Sequence, residues 1–130
     1  FAEGLSTGPD NLVLQALAQM RNMVLPGCEP IPPLAVTLDK RLPVAAGIGG
    51  GSADAGAMIR LLDRHFVHNG DRKEQVLATH SLGADVGACI ISQTRIGMGL
   101  GWELHMPAVS DLRDTPALWR LVRRCPRTEK

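Results

Sequence analysis

At 130 residues, with 45% hydrophobic content, the chain is the size of one domain and can bury a core. A formal net charge of +1 and a pI near 8.0 give no general attraction to nucleic acid or to a membrane surface, and the longest apolar run is far too short to span a bilayer. Three widely separated cysteines, Cys28, Cys89 and Cys125, with no CxxC pair, argue against a disulfide framework or a zinc site and fit a reducing cytoplasm.

The chain begins with Phe1 rather than Met, in a loop-like stretch without a signal peptide, which suggests an incomplete beginning. Gly8-Pro9-Asp10 signals a turn and a helix start. Leu12, Val13, Ala16, Leu17 and Met20 then recur at helical spacing to about Met23, and Asp10 or Asn11 is the expected cap. Pro26 to Pro33, with four prolines and a glycine, reads as a connector. Leu34, Val36 and Leu38 alternate with Ala35, Thr37 and Asp39, which predicts a half-buried strand leading into the next segment. No internal repeat or interdomain linker is evident.

That next segment, LPVAAGIGGGSADAGAMIRLL from Leu42 to Leu62, places Gly47, Gly49, Gly50 and Gly51 directly before an amphipathic helix. Glycine admits positive φ and removes the Cβ, so successive backbone N–H groups can converge on one anion, and the helix N-terminus adds its dipole. Ser52 is expected to cap the helix and offer a hydroxyl, with Asp54 in the first turn. A flexible strand-to-helix turn is the plainer reading, but the combination favours a phosphate. It is not a Walker A loop, because Gly51 is followed by Ser52 and Ala53 rather than by Lys and Ser or Thr. It also fits the dinucleotide fingerprint poorly, since Ser52 stands where the third glycine belongs.

Ala53, Ala57 and Leu61, with Met58, Leu62 and Phe66, predict the buried stripe of this helix, which should end between His65 and Gly70. His65 and His68 share a face without a third ligand nearby, so metal binding is not expected. Arg72 to about Leu82 reads as another helix ended by Gly83. Asp85 follows, and the apolar run Ala88-Cys89-Ile90-Ile91 reads as a buried strand, so Asp85 is either a turn cap or a carboxylate held for chemistry. In Thr94 to Met106, Gly97, Gly99 and Gly101 are expected to be turn or bulge residues of a hairpin. From Asp114 a helix start leads into a strongly basic end with Arg120, Arg123, Arg124, Arg127 and Lys130. No aromatic residue is interleaved with these arginines, which argues against nucleic-acid binding.

Pro43, three residues, Gly47-Ile48-Gly49, Gly50, Gly51-Ser52-Ala53 resembles the second motif of the GHMP kinases, small-molecule kinases without a Walker A loop. Gly50, Gly51 and Asp54 bring the stretch closer to the branch that phosphorylates the 2-hydroxyl of 4-diphosphocytidyl-2-C-methyl-D-erythritol in non-mevalonate isoprenoid biosynthesis. The resemblance runs from about Gly8 to Met106. It implies an α+β fold, part of an N-terminal ATP-binding domain (residues 1–110) of the ribosomal-protein-S5-domain-2-like type. A divergent basic tail (111–130) stands where a ferredoxin-like C-terminal domain would follow.

As cofactors the resemblance implies ATP as cosubstrate and Mg²⁺, and as partner the cytidine-diphosphate substrate. The nucleotide would be held by Pro43, Val44, Ala45, Ala46, Gly47, Ile48, Gly49, Gly50, Gly51, Ser52 and Ala53. Asp85, in Gly83-Ala84-Asp85-Val86, matches the catalytic carboxylate of the family's G-A-D-V-P, with Gly87 in place of the proline. Asn11, in a stretch like the family's N-L-V, becomes an adenine-side contact as well as a cap candidate. Trp102 stands at the usual Glu position of the family's G-x-G-E hairpin, with Glu103 one later. The family's catalytic lysine motif and cytidine-binding aromatics find no match, so the 130 residues are expected to be inactive alone. A non-catalytic nucleotide-binding fragment and an S5-like RNA-binding module are the other readings, and the oligomeric state is open.

Overall fold

The computed structural model describes residues 4–23, 30–41, 44, 47–67, 72–99, 101 and 103–107. The basic tail, the pair partner His68, Asn69-Gly70, Trp102, Cys28, Cys125, and Pro43, Ala45 and Ala46 of the glycine loop lie outside these residues.

The first helix, α1 (Leu12–Asn22), starts where the turn signal places it. The Asn11 carboxamide oxygen accepts the Val13 N–H at 2.9 Å, and its Nδ2 donates to the Ser6 carbonyl at 2.7 Å. Asn11 is thus the cap of α1. Val13, Ala16, Leu17 and Met20 face inward, as their spacing predicts. The second helix, α2 (Gly50–Leu62), continues through a π-helical turn, Asp63–Val67. After α3 (Arg72–Ala78), a short 3₁₀ turn (His80–Leu82) and Gly83, α4 (Ala84–Ile91) is followed by a hairpin of β1 (Ile96–Met98) and β2 (Glu103–His105).

Helix α2 is the central element, with α1 on one side and α4 on the other, while α3 packs on α4. Ala55, Met58, Ile59 and Leu62 of α2 meet Val86 and Ile90 of α4, Val76 of α3, Leu82 and Ile31 in one core. The predicted stripe of α2 is therefore half right. Met58 and Leu62 are buried and Phe66 packs against the core, but Ala53, Ala57 and Leu61 face solvent, because the partners lie on the side of Ala55 and Ile59. What lets α4 approach is Gly56, where an added Cβ would stand 2.7 Å from the Cys89 Cβ and 2.9 Å from its carbonyl carbon.

Three further expectations are corrected. Ala88 to Ile91 forms the second half of helix α4 rather than a strand: Val86 and Ile90, four apart, turn one face to α2, and Gly87 lets Val76 of α3 come close on another. Leu34 to Asp39 has no regular secondary structure and bonds into no sheet among the described residues. Its Val36 and Leu38 nevertheless pack on the core. A strand exists only where a neighbour takes its backbone hydrogen bonds, and alternation alone cannot supply one. Last, Gly97 is a residue of β1, paired with Leu104. The turn belongs to Gly99 (φ 61°) and Gly101 (φ 99°), and the Gly101 N–H closes it on the Met98 carbonyl at 2.9 Å. Among the described residues the sheet has these two antiparallel strands, so helix and a small sheet are combined as an α+β fold requires. No described helix is long and apolar enough to cross a membrane.

Candidate nucleotide site

Gly47 (φ 69°) and Gly49 (φ 73°) both adopt the left-handed conformation, and a Cβ built on either would point into open space. Gly49 is the N-cap of α2. The expected roles of two neighbours change accordingly. Ser52 is the third helical residue and caps nothing, and Asp54 lies beyond the first turn. The ladder of α2 opens with the Ala53 N–H bonded to the Gly49 carbonyl at 2.9 Å, so the N–H groups of Gly50, Gly51 and Ser52 precede it and have no intrahelical acceptor.

These groups line an open cleft of about 360 Å³. Its other walls are Gly4 to Ser6, the start of α1 from Asp10 to Val13, Leu38 and Lys40 before the loop, Val44 and Asp54. Of the residues expected to hold a nucleotide, Val44, Gly47, Ile48, Gly49, Gly50, Gly51 and Ser52 share this cleft. Ala53 points to the opposite side of α2, beside Arg60 and Cys89. The cleft suits a phosphate on physical grounds: it joins left-handed glycines to the positive end of a thirteen-residue helix, where backbone N–H groups face a bound anion.

Sequence reasoning placed Asn11 near this region only through the family resemblance, and it missed Lys40. The Lys40 ammonium pairs with the Asp54 carboxylate across the loop, and its side chain is only 6% exposed. Nothing local in the sequence announces a pair between residues fourteen apart. Asp10, at the rim, accepts a hydrogen bond from the Ser6 hydroxyl.

Asp85 stands exposed in the first turn of α4 and is not part of the cleft lining. It is held by the start of a helix, after Gly83 (φ 141°), rather than between a helix end and a strand. One turn further on, burial pushes the Cys89 thiol above its ordinary pKa. The Asp85 charge adds to the rise and the Arg60 guanidinium, which also donates to the Cys89 carbonyl, opposes it. Among the described residues no three His, Cys, Asp or Glu gather as a metal site.

The GHMP kinases N terminal domain matches residues 11–101, and the chain belongs to that family. Its relatives narrow the branch. It is 50% identical over 118 residues to 4-diphosphocytidyl-2-C-methyl-D-erythritol kinase of Sphingopyxis alaskensis, covering 91% of this chain and 41% of that protein. It is 42% identical over 125 residues to the enzyme of the same name from Parvibaculum lavamentivorans, covering 94% of this chain and 39% of that protein. The likeness to the Novosphingobium aromaticivorans enzyme is 51% over 84 residues, 65% of this chain and 28% of the other. The chain thus spans about two fifths or less of these relatives. No solved structure matches it.

Proposed function

We propose that this chain is the nucleotide-binding portion of a kinase that transfers the γ-phosphoryl group of ATP to the 2-hydroxyl of 4-diphosphocytidyl-2-C-methyl-D-erythritol, in the cytoplasm, within an S5-domain-2-like N-terminal domain. The observation that carries the reading is the pair of left-handed glycines, Gly47 and Gly49, at the N-terminus of α2, opening into a cleft large enough for a triphosphate. The names of the relatives supply the substrate.

In this reading the N–H groups of Gly50, Gly51 and Ser52 take up negative charge on the phosphates as the γ-phosphoryl group leaves ADP, which is the electrostatic part of the catalysis. The Ser52 hydroxyl presents a hard oxygen on the same wall, of the kind Mg²⁺ accepts beside phosphate oxygens. Mg²⁺, when bound with the nucleotide, supplies further neutralisation of the β- and γ-phosphates. Asp85 orients the acceptor hydroxyl and takes its proton as the new P–O bond forms.

Replacing Gly50 tests the loop. It is the first helical residue, so Gly50→Val keeps a tolerated backbone while filling the approach to the N–H groups. ATP affinity, measured by calorimetric titration, is expected to fall about tenfold or more, roughly 1.4 kcal/mol. Equal affinity in the folded variant and the parent would sink the reading.

A further inference from the structure

We infer that Lys40 and Asp54 form a positioning clasp that fixes the two ends of the glycine loop relative to each other, so that the phosphate cradle is shaped before any phosphate arrives. The inference rests on the reading of that loop as a nucleotide site, and adds to it two residues that do not themselves grip the ligand.

Lys40 follows the segment Leu34 to Asp39 on the way into the loop, and Asp54 lies on α2, which leaves it. The segment has no sheet neighbour among the described residues, and among them few polar bonds tie it to the rest of the fold. At its start the Arg21 Nε donates to the Ile31 carbonyl at 3.3 Å, and at its end stands the Lys40–Asp54 pair. The adjacent Arg41–Asp39 pair, 86% and 69% exposed, is local to the segment and contributes little. Lys40 differs from it: its side chain is 6% exposed, so losing Asp54 strands an ammonium that water reaches poorly, while the Asp54 carboxylate, 28% exposed, is left without its counter-ion. The pair also solves an electrostatic problem. A carboxylate in the wall of an anion site would repel the ligand, and the Lys40 ammonium compensates it while leaving the backbone N–H groups as the phosphate donors.

The sign of one variant separates this role from a direct one. If Lys40 were itself the phosphate ligand, Asp54→Asn would release its ammonium, remove a repelling charge and tighten nucleotide binding. If the pair is a clasp, Asp54→Asn weakens binding despite removing that charge. The experiment uses the whole chain and two readouts. Amide hydrogen exchange of Gly47 to Ala53 without nucleotide should accelerate about tenfold in both Lys40→Met and Asp54→Asn, while the α2 amides from Met58 to Leu62 keep their parental rates, and Lys40→Arg should restore slow exchange. ATP affinity should fall on the order of tenfold in both single variants. Parental loop exchange in folded Asp54→Asn, acceleration spread equally over α2, or tighter or unchanged ATP binding in that variant would each overturn the clasp. If the parent chain binds no ATP, the nucleotide reading fails and exchange alone decides the clasp. Should Lys40→Met not fold, the more exposed Asp54→Asn decides between clasp and direct ligand.

Discussion

Asp85 and Cys89 stand one turn apart on α4, and their surroundings set opposite expectations. Asp85 is exposed, so replacing it costs the fold little beyond its interaction with the start of the helix, about 0.3–1 kcal/mol. If the proposed function holds, Asp85→Asn in a chain completed to the relatives' length is therefore expected to leave ATP affinity and Tm near the parental values while lowering kcat on the order of 10² to 10⁴. A near-parental kcat would reduce Asp85 to a helix-start residue. Cys89 has a raised pKa, mainly through burial. Folded protein then holds the thiol proton at a pH where unfolded chain has lost it. Any stability from this difference is fully present below the unfolded thiol's pKa and is lost as pH rises from there through the folded value. Alkylation of Cys89 by iodoacetamide should accordingly set in at higher pH in the folded chain than in chain unfolded by urea. Coincident profiles would contradict the burial argument.

At the scale of the element, α2 decides the arrangement. Its exposed face offers Ala53, Ala57 and Leu61 to solvent, while Gly56 on the other face admits α4. Gly56→Ala gains helix preference of roughly 0.5–1 kcal/mol but drives a Cβ to within 2.7 Å of the Cys89 Cβ and 2.9 Å of backbone that cannot swing aside. Net destabilisation of about 1–3 kcal/mol, read by urea denaturation, is expected. A stabilised variant would show that the two helices can separate without loss. Sequence periodicity located both ends of the apolar face of α1 and the existence of α2, yet read Ala88 to Ile91 as a strand. A four-residue apolar run fits either structure, and only the packing of Val86 and Ile90 against α2 chooses the helix. The cleft shows the same division. Its glycines were legible because only glycine takes their φ values without strain, whereas Lys40 reaches the site by tertiary contact with Asp54.

For the whole molecule, the relevant fact is that phosphoryl transfer needs nucleotide, acceptor hydroxyl and catalytic groups aligned within about an ångström, since a misplacement of that size costs roughly a hundredfold. The chain spans about two fifths of its Sphingopyxis relative, and none of Lys40, Lys73 and Lys130 stands in the context that the family resemblance implies for a catalytic lysine. Lys40 is moreover occupied by Asp54. The 130 residues purified by themselves are therefore expected to bind ATP but to transfer phosphate to the diphosphocytidyl substrate far more slowly than ~1 s⁻¹, the lower end of typical kinase rates. Turnover at that rate or above would mean that this chain contains the catalytic partner.

By itself the sequence determined the parts whose cause is local. These are a cap at Asp10 or Asn11, of which the fold uses Asn11, the helical spacing of α1, the positive-φ glycines before α2 and the hairpin turn, because backbone sterics and short-range hydrogen bonds act within a few residues; the helix read from Arg72 to Leu82 instead ends at Ala78, and Gly83 closes the 3₁₀ turn after it. Tertiary structure alone decided which face of α2 is buried, that residues 88–91 are helical, that residues 34–39 join no sheet in the described fold, and that Lys40 closes on Asp54. Each of those depends on what a residue meets across the core or across the loop, and burial and ion pairing are properties of such meetings rather than of any stretch of chain.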